Sequence, residues 1–152
     1  MTAVKGSEPP ISPDDPHVAA LLGRLFEAMR RTLRTEDWGG LRPVHFRLLE
    51  AVPLAGTTIT ELAPVLFMTK QAVGQFVTSL VNTGHLEVRV DPNDRRRRLV
   101  ALTVQGERTV AAVAARMHLL EQEWAQRVGE QRYREFRSVL DQLSQGYPES
   151  SR

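Results

Sequence analysis

The residues of this chain best suited to touch another molecule gather in one stretch, Met68 to Arg98. Gln71, Gly74, Gln75 and Thr78 fall at i, i+3, i+4 and i+7, the spacing of one helix face, with Thr69 and Lys70 at its start. That face is polar yet nearly uncharged, whereas an ordinary solvent face is more often rich in Glu and Lys. Amides and hydroxyls suit base edges, lysine suits phosphate, and glycine leaves room for close approach. On the helix alone, a DNA-reading face and a plain surface both stay open. Further along, Arg95, Arg96, Arg97 and Arg98 form an unbroken basic run. Such a run is usually just a solvated patch. Here it projects from a predicted hairpin directly after a helix–turn–helix, where it can reach an adjacent groove. A narrow minor groove attracts arginine through its negative potential.

The elements that must position these residues follow from periodicity and punctuation. Residues 1–16 contain four prolines and few apolar residues, and read as a disordered arm. From His17 to about Thr35, Val18, Leu21, Leu22, Leu25, Phe26, Met29 and Leu33 recur at three- and four-residue steps, an amphipathic helix that Gly39-Gly40 breaks. A shorter helix starts near Pro43 and carries Phe46, Leu48, Leu49 and Val52. Thr58-Ile59-Thr60-Glu61 fits a capping box opening a third helix, which Pro64 leaves either kinked or short.

Thr69 caps the central helix, Met68 is placed to staple onto Val73, and Gly84 ends it. Val73, Phe76, Val77, Leu80 and Val81 are its expected core face. Leu86 to Val90 alternates as a strand, Asp91-Pro92-Asn93-Asp94 turns, and Leu99 to Leu102 returns. A long helix from Thr103 to about Val128 carries Val110, Val113, Ala114, Met117, Leu119, Leu120 and Trp124. After Gly129, a last helix with Tyr133, Phe136, Val139, Leu140 and Leu143 ends near Gly146-Tyr147-Pro148. These terminal helices are too apolar to stand alone. Packing with the first helix and against a second copy of the chain is the simplest solution.

Composition excludes several classes. A length of 152 residues suits one domain, or a small domain with helical extensions, and the net charge is only +2. Cysteine is absent, which removes disulfides, thiolate metal sites, cysteine nucleophiles and thiol redox sensing. No apolar run approaches the ~18–20 residues of a membrane span, and the N-terminus lacks the apolar core of a secretory signal, so a cytoplasmic location is expected. His17, His45, His85 and His118 show no ligand spacing, and there is no phosphate-binding glycine loop or nucleophile elbow. No catalytic residue, metal or cofactor is expected, and nothing recommends an enzyme.

With both motifs in place, the chain resembles the MarR family of transcriptional regulators. The resemblance is carried by Ile59-Thr60-Glu61-Leu62-Ala63, by Met68-Thr69-Lys70-Gln71-Ala72-Val73, by Gly84 with Arg89, and by Asp91-Pro92-Asn93-Asp94-Arg95-Arg96 closing on Leu102-Thr103. It extends from about residue 14 to 146. It implies a mainly α fold with a small β-wing, a winged helix–turn–helix at about 41–104. Dimerisation helices would lie at about 17–35 and 104–146, within one domain spanning 17–146 and followed by a 147–152 tail. It further implies a homodimer, a repressor or sometimes an activator, that binds a pseudo-palindromic double-stranded operator. The recognition helix would be 69–83 and the wing 86–103. The family's Asp-x-Arg wing signature falls on Asp94 and Arg96: the Arg approaches the minor groove and the Asp helps fix the wing.

Many members of the family are released from DNA by small aromatic or anionic ligands bound between the dimerisation helices and the winged unit. Trp38, His45 and Arg47 lie around the first two helices, where such pockets are found. For each, a structural role is the stronger reading: packing for Trp38, a surface or satisfied core histidine for His45, an ion-pair partner for Arg47. The rival to operator binding is a winged-helix module that binds protein. Such modules tend to lose the basic and amide groups that this chain keeps at Lys70, Gln71, Gln75 and the arginines.

Overall fold

A computed structural model describes residues 15–34 and 37–145 of the chain. The expected arm at 1–16 falls almost wholly outside these residues, as do the expected end of the last helix and the tail. In chain order the elements are α1 (Val18–Arg34), α2 (Pro43–Ala51), α3 (Ile59–Leu66), α4 (Lys70–Asn82), β1 (Leu86–Val90), β2 (Arg98–Leu102), α5 (Val104–Val128) and α6 (Glu130–Gln145). The architecture is mainly α with a two-stranded antiparallel wing. No helix among the described residues is long and apolar enough to cross a membrane.

Local chemistry fixes the helix ends. Thr58 Oγ1 accepts the Glu61 N–H at 3.2 Å, and the Glu61 carboxylate accepts the Thr58 N–H at 2.9 Å, completing the expected capping box. Hydroxyls from Thr57 and Thr58 also bond that carboxylate. The backbone N–H of Thr58, the two hydroxyls and nearby Arg97 together hold its pKa down, to about 2. α3 is short and Pro64 lies inside it, on an exposed face where the bond it cannot donate would serve the carbonyl of exposed Thr60; the helix runs on to Leu66. Phe67 then reverses the chain in the left-handed conformation (φ 54°, ψ 44°), a backbone costing roughly 1–2 kcal/mol for any residue but glycine. At the other end of α4, Gly84 (φ +78°) donates to Val81 O at 3.0 Å and His85 to Leu80 O at 2.9 Å, a Schellman cap.

The main core joins α2, α3, α4 and the wing: Leu48, Leu49, Val52, Leu62, Ala63, Leu66, Val73, Val77, Leu80, Leu86 and Val100, with Met68 and Phe76 packed on it. A second, smaller cluster of Leu33, Phe46 and Val113, with Trp38, Leu41 and Met117, joins α1, α2 and α5. Three expectations of burial change. Val81 is exposed, and so is Leu119 on α5. Along β1 only Leu86 is buried, although its sequence alternates, while Leu99, Val100 and Ala101 of β2 are buried in succession. The cause is a third extended segment. Thr57 bridges Val100 with paired backbone bonds of 2.9 and 2.6 Å, which makes β2 the inner strand and leaves β1 on the outside.

Candidate nucleic-acid interface

The α4 face is built from the cap outward. Thr69 Oγ1 accepts the Ala72 N–H at 3.2 Å, leaving its own O–H proton to donate elsewhere. Lys70, Gln71, Gln75 and Thr78 are all exposed. The side chains of Lys70, Gln71 and Gln75 make no hydrogen bond or ion pair within the described residues. Thr78 differs: its hydroxyl donates to Gly74 O at 2.9 Å, so only acceptor capacity remains for another molecule. Gly74 is half-buried, and a Cβ added there would meet nothing closer than Ile59 Cδ1 at 3.9 Å, an ordinary contact. Its absence of side chain is thus not demanded by packing against α3.

In the wing, strands β1 and β2 pair from Leu86↔Leu102 to Val90↔Arg98. The loop between them is held by carboxylates. Asp91 is buried; its Oδ1 accepts the Asn93 N–H at 2.8 Å, and its backbone N–H bonds Arg97 O at 3.0 Å. Asp94 Oδ1 accepts the Arg96 N–H at 2.9 Å, while its own carbonyl accepts the Arg97 N–H at 2.9 Å. Asp94 thus bonds two backbone N–H groups of the loop that follows it.

The basic residues divide into two groups. Arg97 is paired inside the chain: its guanidinium bonds the Glu61 carboxylate of α3 and lies 3.5 Å from Asp91 Oδ2. Arg89 is likewise engaged, donating to Ala55 O at 2.9 Å across the α2–α3 loop. Both strap the wing to the helix–turn–helix. Arg95, Arg96 and Arg98 have no side-chain partner among the described residues and are exposed. The anchors Glu61 and Asp91 were absent from the expected interface. Their types and positions were visible in the capping box and turn, but only folding shows that one arginine reaches both.

The three residues expected around an effector separate. Trp38 lines a hollow of 270 Å³ between the end of α1 and the start of α2, together with Arg30, Arg34, Pro43 and Phe46. Its Nε1 donates to Leu33 O at 2.6 Å, and its ring meets Phe46 edge-on at 5.3 Å. His45 does not line that hollow. It is buried, with Nδ1 accepting the Arg42 N–H at 3.0 Å, Nε2 without a partner, and its ring edge-on to Phe76 at 5.7 Å. Burial foremost, then Arg42 and His85, push its pKa below the ordinary histidine value. Arg47 is exposed, on a long 3.5 Å contact to Leu66 O. Arg30, Arg34 and Phe46 could not be singled out beforehand, because helices apart in sequence supply them. Among the described residues no group of three or more His, Asp or Glu side chains is placed to hold a metal ion.

Comparison with known proteins agrees with this fold. A model of the MarR family matches residues 39–97. No curated protein matches the sequence. Among solved structures the fold is similar to CouR from Rhodococcus jostii RHA1 bound to p-coumaroyl-CoA, at 20% identity over 86% of this chain and 91% of that one, TM-score 0.68. It is similar to the PcaV transcriptional regulator from Streptomyces coelicolor in complex with its natural ligand, at 20% identity over 90% and 99%, TM-score 0.66. It also resembles MepR from S. aureus bound to ethidium bromide, at 18% identity over 86% and 96%, TM-score 0.61. Residues 39–97 match the MarR-family model, and the chain has the winged helix–turn–helix fold seen in a solved MarR family transcription regulator.

Proposed function

We propose that this chain is a homodimeric transcriptional regulator, acting as a repressor, that binds a pseudo-palindromic operator through α4 and the wing. The observation that carries this reading is the combination of exposed Lys70, Gln71 and Gln75 side chains that bond nothing within the described residues with three wing arginines, Arg95, Arg96 and Arg98, that likewise have no partner there. Gln71 and Gln75 offer bidentate amides to adenine edges, Thr78 offers an acceptor, and Thr69 and Lys70 offer donors to phosphate. Arg95, Arg96 and Arg98 supply phosphate and minor-groove contacts and most of the salt sensitivity. Arg89, Asp94 and Arg97 hold the wing at its working angle.

Residues 41–104 are then the DNA-binding unit, and 17–35 with 104–146 the dimerisation unit. Dimerisation is supported by the open apolar surface of α1 and α6: Val18, Phe26, Val139 and Leu143 are each more than half exposed. Two copies would place their α4 helices in successive major grooves ~34–36 Å apart. A small aromatic or anionic effector is supported by the hollow at Trp38, where Phe46 and Trp38 meet Arg30, Arg34 (paired with Glu27) and Asp37.

An in vitro selection from sheared genomic DNA with purified protein tests the reading. The expected product is an inverted repeat with half-sites about one helical turn apart. A pool that stays flat at low salt would sink operator binding and leave the protein-interaction module as the better account.

A further inference from the structure

The turn between α3 and α4 combines two features that are unfavourable for folding. Phe67 is 85% exposed, more than any other large apolar residue described. It is also the one non-glycine residue with positive φ among the described residues. Its ring belongs to neither core cluster and to no aromatic pair. A bulky side chain in the left-handed region is a genuine outlier, and glycine or asparagine would serve the same turn with less strain. Phe67 N–H bonds Pro64 O at 3.1 Å and Met68 N–H bonds Ala63 O at 3.0 Å, so the surrounding backbone enforces the conformation. Strain of this kind, over-determined by its surroundings and bringing no packing, concentrates at functional sites.

Two residues beyond Phe67 stands Thr69, the α4 cap, and then Lys70 at the first helical position. Two residues span at most about 7 Å. When the start of α4 enters a major groove, Phe67 therefore lies beside the strand bounding that groove. Phenylalanine is among the side chains that pack on the thymine methyl group, and a ring can equally cover deoxyribose carbons. Further along the chain come exposed Thr69, Lys70 and Gln71, groups suited to phosphate and base edges rather than to the apolar core of a protein interface.

We propose that Phe67 is a DNA-contacting residue, its ring covering the sugar or thymine-methyl surface next to the α4 N-terminus. The proposal deepens the operator-binding reading and rests on it. It predicts opposite effects on stability and binding, which a structural residue would not produce. Phe67→Gly and Phe67→Asn should melt at or above the temperature of the parent. Both should bind the selected operator on the order of ten-fold more weakly, with relaxed preference at the bases flanking each half-site. The slope of log affinity against log salt should not change, because no cation is removed. Phe67→Leu should recover part of the affinity.

The experiment is a gel-shift titration of parent and variants on the selected operator at several salt concentrations, with thermal melts alongside. Folded variants that bind with the parent's affinity and preference overturn the contact while leaving operator binding intact. A parent that binds no duplex overturns both readings. Variants that instead lose capture of a protein partner and keep DNA affinity would reassign the ring to a protein contact.

Discussion

Among single residues, the wing arginines differ in what their guanidinium groups already hold. Arg96 has a backbone N–H on Asp94 and a free side chain, whereas Arg97 joins Glu61 and buried Asp91. Arg96→Ala should therefore leave the melting temperature nearly unchanged and reduce the salt slope by about one unit per lost phosphate contact. Arg97→Ala should do the reverse, lowering the melting temperature because the Asp91 carboxylate loses its cation, with little change in slope. Gel shifts across a salt series, read with thermal melts, distinguish the two; identical behaviour would refute the division. His45 gives a pH dependence. Its Nδ1 must stay unprotonated to accept the Arg42 N–H, and its folded pKa lies below the ordinary 6.5. The folded state then binds fewer protons, so stability is fully present above pH 6.5 and falls as pH drops through that value. Buried His85, whose pKa is also lowered by burial, adds the same sign. Urea melts at pH 7.5 and 5.5 should show the loss, and His45→Gln, which keeps an acceptor that does not titrate, should shrink it.

At the level of elements, the most constrained joint is where α5 meets the end of α4. Thr103 caps α5 by accepting the Gly106 N–H at 3.1 Å, donates its hydroxyl to Gly84 O, and bonds His85 O through its own N–H at 3.1 Å. A Cβ on Gly106 would lie 2.1 Å from His85 O, a backbone atom that cannot swing away. Gly106→Ala should cost about 2–3 kcal/mol, checked by denaturant unfolding. A loss below 0.5 kcal/mol, the ordinary surface value, would mean the joint yields easily. The rigidity matters because α5 belongs to the proposed dimerisation unit and α4 to the DNA-reading one. A shift of one against the other would strain this contact, along with the packing of Val110 on the main core and of Val113 on Phe46.

For the whole molecule, the open question is what covers α1 and α6. Helix α6 packs on α5, joined by Tyr133 and the 3.3 Å Arg137–Glu121 ion pair, yet Val139 and Leu143 remain 53% and 58% exposed. Sedimentation at micromolar concentration should give twice the 17.1 kDa chain mass. Val139→Glu with Leu143→Glu should give a folded monomer with much weaker operator binding, since avidity from two half-sites is lost. A parent that sediments as a monomer would remove the dimer.

The sequence by itself determined whatever depends on neighbours along the chain. The helix spacing, the capping box at Thr58 and Glu61, the cap at Thr69, the stop at Gly84 and the turn at Asp91 are all local, because they rest on bonds within a few residues. Only the tertiary structure decided which strand of the wing lies inside, because Thr57, far from Val100 in sequence, closes the sheet edge. It also decided that Arg89 and Arg97 hold the wing while Arg95, Arg96 and Arg98 stay free, since the partners of the first two lie 34 and 36 residues away. It placed His45 in the core and Trp38 at a hollow, though both are plain aromatic residues of neighbouring segments. A run of identical arginines carries no sign of this division; distance in the folded chain creates it.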